Sequence, residues 1–431
     1  MKRLIALFIL VAFPLRAEVD ITQVTSPSGL EAWLVEERSI PFVSLDLIFA
    51  GGAALESDAQ AGVVNLMTSL LSEGAGDMDA QAFAARSEEL ATRIRFEAGR
   101  DSVSVSVRFL TEDADEVIEH LRLALTEPRF DEDAIARTRG QLMAQLRRDV
   151  LDPNTIASRA FANAAFQDHP YGRESNGTPE TVSTLDRDAL VAAHQGAIAR
   201  DRVYIGAAGD ISADELGGLL DRLFEGVPET GWDMPERAEF LAEPGMEIIP
   251  FDGPQSVVAF GHAGIARDDP EFLTAFVVNE VFGGGRFGTR LMRSLREERG
   301  LTYGIGAFLS SGALGESYQG RLSTDNANVE LVIDLLRDEW AQIASEGVTE
   351  GELDRIQTYL TGAYPLRFDG NSSIASIMAS MQYQGFDIDY VNRRNDMISA
   401  LTLDEVNDLA SRLYDPDALF FVVVGQPVGL N

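Results

Sequence analysis

The sequence predicts an α+β fold made of two homologous repeats, each a mixed or antiparallel sheet with helices packed mainly on one face. Three observations lead there. Short segments with an apolar residue at every second position alternate with longer stretches of helical period. The helices come in pairs rather than in strict strand–helix–strand order, which argues against a wholly parallel sheet. The chain also reads as a repeat of itself.

In chain order, the strand-like segments of the first half are 43–49, 105–109 and 203–207, and those of the second are 257–261, 318–322 and 419–424. Segment 105–109 (VSVRF) runs into TEDADEVIEHLRLAL, a helix whose acidic start suits the positive end of the helix dipole. A second helix, DEDAIARTRGQLMAQL, follows a break at Pro128. In the second half, 318–322 runs into STDNANVELVIDLLRDEW, and GELDRIQTYL follows a break at Gly347. Arg108 thus matches Arg321, 213 positions on. NTIASRAFANAAF, from Asn154, resembles NSSIASIMASMQY, from Asn371. Leu185 and Gly209 match Leu401 and Gly425, both at an offset of 216. A near-constant offset over so long a stretch marks a duplicated domain. Between the halves, residues 227–254 carry Pro228, Pro235, Pro244, Pro250 and Pro254 and few apolar runs. They read as a linker, with the boundary near residue 240, between domains at 18–226 and 255–431.

Length and charge narrow the function. A chain of 431 residues, 45% hydrophobic and 24% charged, has apolar material for more than one core. With 69 Asp and Glu against 35 Lys and Arg, a net charge of −34, its surface repels phosphate backbones and anionic lipid, so neither nucleic acid nor a membrane surface is an expected partner. Residues 1–17 read as a secretory signal: Lys2 and Arg3, an unbroken apolar run over 4–13, Pro14, then Leu15, Arg16 and Ala17. That run is too short to cross a bilayer, and no later segment approaches the length. Export, to a bacterial periplasm, is the expectation. The absence of Cys removes disulfides, thiolate ligands and Cys nucleophiles, and fits an oxidising compartment.

No familiar catalytic constellation follows. His120, His169, His194 and His262 are the four histidines, and none pairs with another at the i, i+4 spacing that brings two imidazoles to one metal. Structural roles are expected for all four. There is no Gly-x-Ser-x-Gly elbow. Gly283, Gly284 and Gly285 follow a helix rather than a strand, unlike a dinucleotide loop.

The sequence does resemble the pitrilysin/insulinase-like zinc metallopeptidases, the inverzincins, which include the mitochondrial processing peptidases and bacterial two-subunit relatives. The resemblance runs through GGAALES (51–57), GVVNLMTSLLSEGAG (62–76), HPYG (169–172) and GGGRFGTRLMRSLREERGLTYGIGA (283–307). It implies duplicated α+β domains. Active members carry H-x-x-E-H in the helix matching 62–72 and a distal glutamate some seventy residues on, three zinc ligands and a general base. Here the matching positions are Asn65, Thr68 and Ser69, and the distal segment offers Gln141 and Gln145. Neutral amides and hydroxyls are poor zinc ligands, and an unactivated hydroxyl is too weak a base. The resemblance therefore implies no metal in this chain and zinc in a homologous partner subunit.

In the family's paired subunits, R-x-x-x-G-L-x-Y places an arginine and a tyrosine against the substrate's carbonyl; the matching residues are Arg296 and Tyr303. Both donate hydrogen bonds toward developing negative charge. From the residues alone, Arg296 pairing with a nearby Glu and Tyr303 packing on the sheet stay open, as does loop flexibility for Gly283, Gly284 and Gly285, which otherwise allow close approach of a peptide. The expected function is a noncatalytic, substrate-binding subunit of an exported zinc metalloendopeptidase. The alternative is a stand-alone peptide-binding or scaffold protein of the same fold.

Overall fold

A computed structural model describes residues 19–430; the expected signal segment lies outside them. In the first half, β1 (Thr22–Thr25), β2 (Glu31–Glu36), β3 (Phe42–Ala50), β6 (Arg93–Ala98), β7 (Ser102–Leu110) and β8 (Val203–Gly209) form a six-stranded sheet in the order β1-β2-β8-β3-β7-β6. The short strands β4 (Gly74–Ala75) and β5 (Met78–Asp79) make a separate ribbon. In the second half, β9 (Gly245–Pro250), β10 (Gln255–Ala263), β11 (Ile305–Ser311), β12 (Glu316–Asp325) and β13 (Phe420–Gly425) form a sheet in the order β9-β13-β10-β12-β11. Apart from β1 the two orders are the same. The β2–β8 and β9–β13 pairs are parallel and the other pairs of both sheets antiparallel.

The repeat extends into the segment expected as linker. Residues 227–254 include β9, the counterpart of β2: Phe251 donates its N–H to the carbonyl of Gly425 as Glu37 does to that of Gly209. The prolines at 228, 235 and 244 precede this strand, and Pro250 ends it. Pairing also corrects one match. Arg108 lies opposite Ser44, and Ser44 opposite Ala208; Ser323 lies opposite Val257, and Val257 opposite Val424. Ser323, not Arg321, therefore holds the place of Arg108. The error is one full pleat, which keeps the side chain on the same face.

The first sheet buries Leu45, Leu47, Phe49, Val105 and Val107 against helices α1 (Val63–Leu70), α3 (Ala114–Thr126), α7 (Arg187–Ala197) and α8 (Ala213–Leu223). Two further helices, α2 (Ala80–Glu89) and α4 (Glu132–Asp149), flank this layer; α5 (Pro153–Phe166) and α6 (Pro179–Thr184) follow. The second sheet buries Val258, Phe260 and Leu322 against α9 (Phe272–Phe282), α10 (Val329–Glu346) and α14 (Leu403–Leu413), with Trp340 fully enclosed. Helices α11 (Glu350–Ala363), α12 (Asn371–Tyr383) and α13 (Tyr390–Ala400) complete the half. Each large apolar side chain sealed in these cores contributes about 2 kcal/mol.

The opposite face of each sheet is covered by one helix from the other half. Helix α12 lies across β8, β3 and β2, and α5 across β13 and β10. Gly206 of β8 makes the first crossing possible: a Cβ there would sit 2.1 Å from the Ala375 carbonyl oxygen. On the other side, Ala157, Phe161 and Ala165 pack against Val257, Ala259 and Val422. The two similar helices from Asn154 and Asn371 are thus exchanged between the repeats, and neither sheet is complete without the other half.

Candidate functional site

Helix α1, where the zinc motif of the resembled family would stand, opens at Gly62, whose left-handed φ of 92° turns the chain into the helix. Buried Glu56 anchors that start. Its two carboxylate oxygens accept the N–H groups of Gly62 at 2.8 Å and Val64 at 2.7 Å. These are among the donors every helix leaves unpaired at its N-terminus. Burial pushes the Glu56 carboxyl up to about 7, against the pull of those two N–H groups and of Arg173.

The motif positions are taken up by internal bonds. Half-buried Asn65 donates its amide N–H to the Asn176 side chain, and exposed Ser69 donates to the Asn65 carbonyl oxygen at 2.9 Å. Thr68 is sealed in the core at 2% exposure, and its Oγ1 has no hydrogen-bond partner among the described residues. On α4, Gln141 is exposed, and Gln145 donates to Asp149 at 2.6 Å and accepts from Arg148. The one acid–base pair linking the two segments is Glu73 with Arg137, a pairing that occupies the carboxylate. This donor set does not fit zinc. Among the described residues no three His, Cys, Asp or Glu side chains are grouped to hold an ion.

The histidines serve the packing. His120 stacks on Phe83 at 4.0 Å and meets the Ser87 hydroxyl at 2.8 Å. His194 is buried with Nε2–H donating to the Leu125 carbonyl oxygen, and its pKa is pushed down to about 4 by that burial. Trp340 donates to His262 Nε2 at 3.1 Å. His169 caps the turn of HPYG by accepting from the Tyr171 N–H, and Tyr171 bridges the repeats, its hydroxyl donating to Asp101 and accepting from the Leu314 N–H.

The second half presents its motif differently. After α9, Gly283 packs on β11, where an added Cβ would lie 2.8 Å from that of Ala307, and its carbonyl accepts the Ala307 N–H. Gly284 lies against the Glu280 carboxylate, while Gly285, with φ of 72°, faces open space. Of the three, Gly285 alone has room beside it for a ligand. A π-helical turn, Met292–Glu297, follows; such turns widen a helix and recur at functional sites. It ends where the Gly300 N–H meets the Arg296 carbonyl. The Arg296 guanidinium stacks on the Phe287 ring at 4.6 Å. Among the described residues it makes no ion pair, unlike its neighbours Arg293 and Arg299, which both meet Glu298.

Tyr303 does not pack on the sheet. It is 86% exposed, held out by a tight turn in which the Thr302 hydroxyl donates to the Gly304 carbonyl and accepts the Gly304 N–H. Thr324 fixes the base of that turn by donating to the Leu301 carbonyl at 2.7 Å. Phe287, 68% exposed, is the member of this surface that the sequence reading missed; only its place between Gly285 and Gly288 marked it. The arrangement offers a held guanidinium and a phenol to something outside the chain.

Comparison with known proteins agrees with the fold. A family model described as Insulinase (Peptidase family M16) matches residues 33–178, and one described as Peptidase M16 inactive domain matches residues 184–360. A Helicobacter pylori protein named non-peptidase homolog YmxG is 25% identical, covering 99% of this chain and 98% of that one. The crystal structure of a peptidase M16 inactive domain from Pseudomonas fluorescens superposes with a TM-score of 0.88 at 26% identity, over 96% of this chain and 99% of the other. A protease from Helicobacter pylori shares the fold at a TM-score of 0.85 and 14% identity, over 94% and 99%. The chain belongs to the insulinase-like M16 peptidase family, as an inactive member that keeps both halves of the fold without the zinc-binding residues.

Proposed function

We propose that this chain is the noncatalytic, peptide-binding subunit of an exported metalloendopeptidase, paired with a homologue that carries the zinc. The observation that carries the reading is the contrast at the surface of the second half: Arg296 is held on an exposed ring and Tyr303 stands in solvent, and among the described residues neither side chain has an ion pair or hydrogen bond. A cation and a phenolic hydroxyl so placed suit the carbonyl oxygen of a bound peptide and the charge that grows on it during hydrolysis. The partner would supply the metal and the base.

Co-expression with an exported homologue bearing an intact H-x-x-E-H tests this. The expected result is co-purification of the two chains, zinc in the partner and peptide cleavage that needs both. Full activity of the homologue alone, with this chain purifying separately, overturns it. A stand-alone peptide-binding protein is the second reading, favoured by the name of the Helicobacter pylori relative, a non-peptidase homologue. It requires peptide binding by this chain without any partner.

A further inference from the structure

Helix α12 covers only part of the first sheet's second face. It spans β2, β8 and β3 and leaves β7 and β6 as the floor of a cavity of about 500 Å³. That floor carries three arginines. Arg93 and Arg108 are directly opposite each other across β6 and β7, and Arg95 lies two residues along the same face. Like charges opposed in this way destabilise a sheet unless something of opposite charge sits against them. Among the described residues none of the three makes an ion pair, although the chain has about twice as many acids as bases and pairs such exposed arginines as Arg137, Arg222 and Arg412. Among the described residues Asp46 is the one carboxylate in the lining, and burial pushes its pKa up to about 7, which weakens its ability to neutralise them near neutral pH.

A second cavity, of about 270 Å³, adjoins the first at Ser376 of α12. It too has three arginines, Arg267, Arg367 and Arg394, and among the described residues no carboxylate in its lining. Here the cations are set among rings. Arg267 stacks on Phe272 at 4.7 Å and Arg394, itself buried, on Tyr364 at 4.3 Å. Stacking fixes each guanidinium plane; Arg267 donates one N–H to Gln384 at 3.2 Å and Arg394 one to Asn395 at 3.4 Å, and the fork of each has further N–H groups for an outside acceptor. The walls of this second cavity come from α9, α12, α13 and the turn that holds Tyr364 and Arg367, and the two cavities meet at Ser376 as one trough, from the first sheet to the α9–α13 region of the second half.

We infer that this trough binds an acidic peptide segment, one with carboxylates for the two arginine groups and an apolar or aromatic residue for the ring-lined end. The inference rests on the peptide-binding reading and names the class of peptide. Six arginines in a chain of net charge −34 form a local positive strip. A nucleic acid, with its dense and continuous charge, is repelled by the surface around the strip, whereas a short peptide places its few carboxylates within it.

The test uses the full mature chain and a short fluorescent peptide with glutamates around one phenylalanine. Comparators replace the glutamates with glutamine or arginine, and a labelled single-stranded oligonucleotide serves as the polyanion. The glutamate peptide binds tightest, with an affinity that falls as salt is raised. The double variant Arg93→Gln, Arg95→Gln weakens it roughly tenfold, as expected for two partly exposed charge pairs. Arg267→Gln with Arg367→Gln does the same, while Arg147→Gln, exposed on α4, has no effect. Circular dichroism and melting confirm that each variant is folded. Equal binding of the glutamine peptide, preference for the oligonucleotide, or unchanged affinity in both double variants overturns the charge assignment alone. Failure of every peptide to bind overturns the trough as a peptide site and the stand-alone reading with it, whereas the paired-subunit reading stands or falls by the co-expression test.

Discussion

Helix α1, where the resembled family keeps its zinc motif, and the segment from Gly285 to Tyr303, proposed above to meet a bound peptide, are built in opposite ways. In α1 the chemically relevant positions turn inward or onto their own backbone: Asn65 to Asn176, Ser69 to Asn65, Thr68 into the core. In the second segment Arg296 and Tyr303 turn outward, while the bonds that hold the loop are made by their neighbours Thr302 and Thr324. Neither arrangement is needed for the scaffold. Apart from β1 both sheets keep the same strand order, and α1 is held by Glu56 and its own buried side chains. A repeat of this kind is stabilised by its packing, so one site can lose its ligands while the other stays presented.

The comparison breaks most visibly at the outward site. In a complex with a zinc-bearing homologue, Arg296→Ala or Tyr303→Phe is expected to lower kcat by ~10²–10³-fold, the usual effect of removing one donor to transition-state charge. Assembly and the partner's zinc content should not change. Arg293→Ala, on the same turn but paired with Glu298, is the control and changes little. If Arg296→Ala splits the complex while Tyr303→Phe has no effect, the outward segment is scaffold as well.

The inward site is sharpened by acid. His194 is on α7, which packs against α1, and burial lowers its pKa from 6.5 to about 4. The unfolded chain therefore binds a proton in a range where the folded chain does not. The stability this histidine contributes is complete above pH 6.5 and is lost as pH falls toward 4, amounting to about 3 kcal/mol. Burial also lowers the pKa of His262, which adds in the same sense. Urea unfolding at pH 7 and pH 5 measures the loss. His194→Gln, with an amide N–H for the Leu125 carbonyl, should show a shallower fall than the parent; identical slopes would refute the assignment.

Glu56 comes next in size. Replacing it with Ala leaves the N–H groups of Gly62 and Val64 without their acceptor in a buried place, which costs about 2 kcal/mol. A thermal melt of Glu56→Ala reads this directly. An unchanged melting temperature would mean that the apolar face of α1 holds the helix by itself.

Much of this was legible in the sequence, and the limits are physical. Strands with clean alternation, such as β3 and β7, were visible because one face is buried in a single core. Strand β9 was not: GMEIIP is short, lies at a sheet edge and follows a proline-rich stretch, and only its pairing with β13 reveals it. The similarity of the helices at Asn154 and Asn371 showed the repeat but not their exchange, since periodicity says which face is apolar and not which sheet will cover it. Asn65, Thr68 and Ser69 are read as degenerate positions through the family resemblance, and the step from residue type to poor zinc ligation is chemical. The exposure of Tyr303 was open, because it depends on a turn held by Thr302. The arginine trough gathers residues from four separated stretches of chain, which no local pattern can show.

The smallest effect carries the sharpest version of the comparison. Thr68 stands where active relatives of the resembled family would have their general base, yet its hydroxyl is buried and unpaired among the described residues. Valine has nearly the same shape and no hydroxyl. In a helix that did chemistry the change would be ruinous; here it removes a buried polar atom with nothing to bond, so Thr68→Val should be neutral or stabilise the chain by up to about 1 kcal/mol. It should also leave activity of the assembled complex unchanged. Chemical denaturation of the two proteins side by side measures the first expectation and peptide cleavage the second. A loss of activity with stability retained would show that the α1 hydroxyl takes part in the reaction, and the division between an inward, structural site and an outward, functional one would fall.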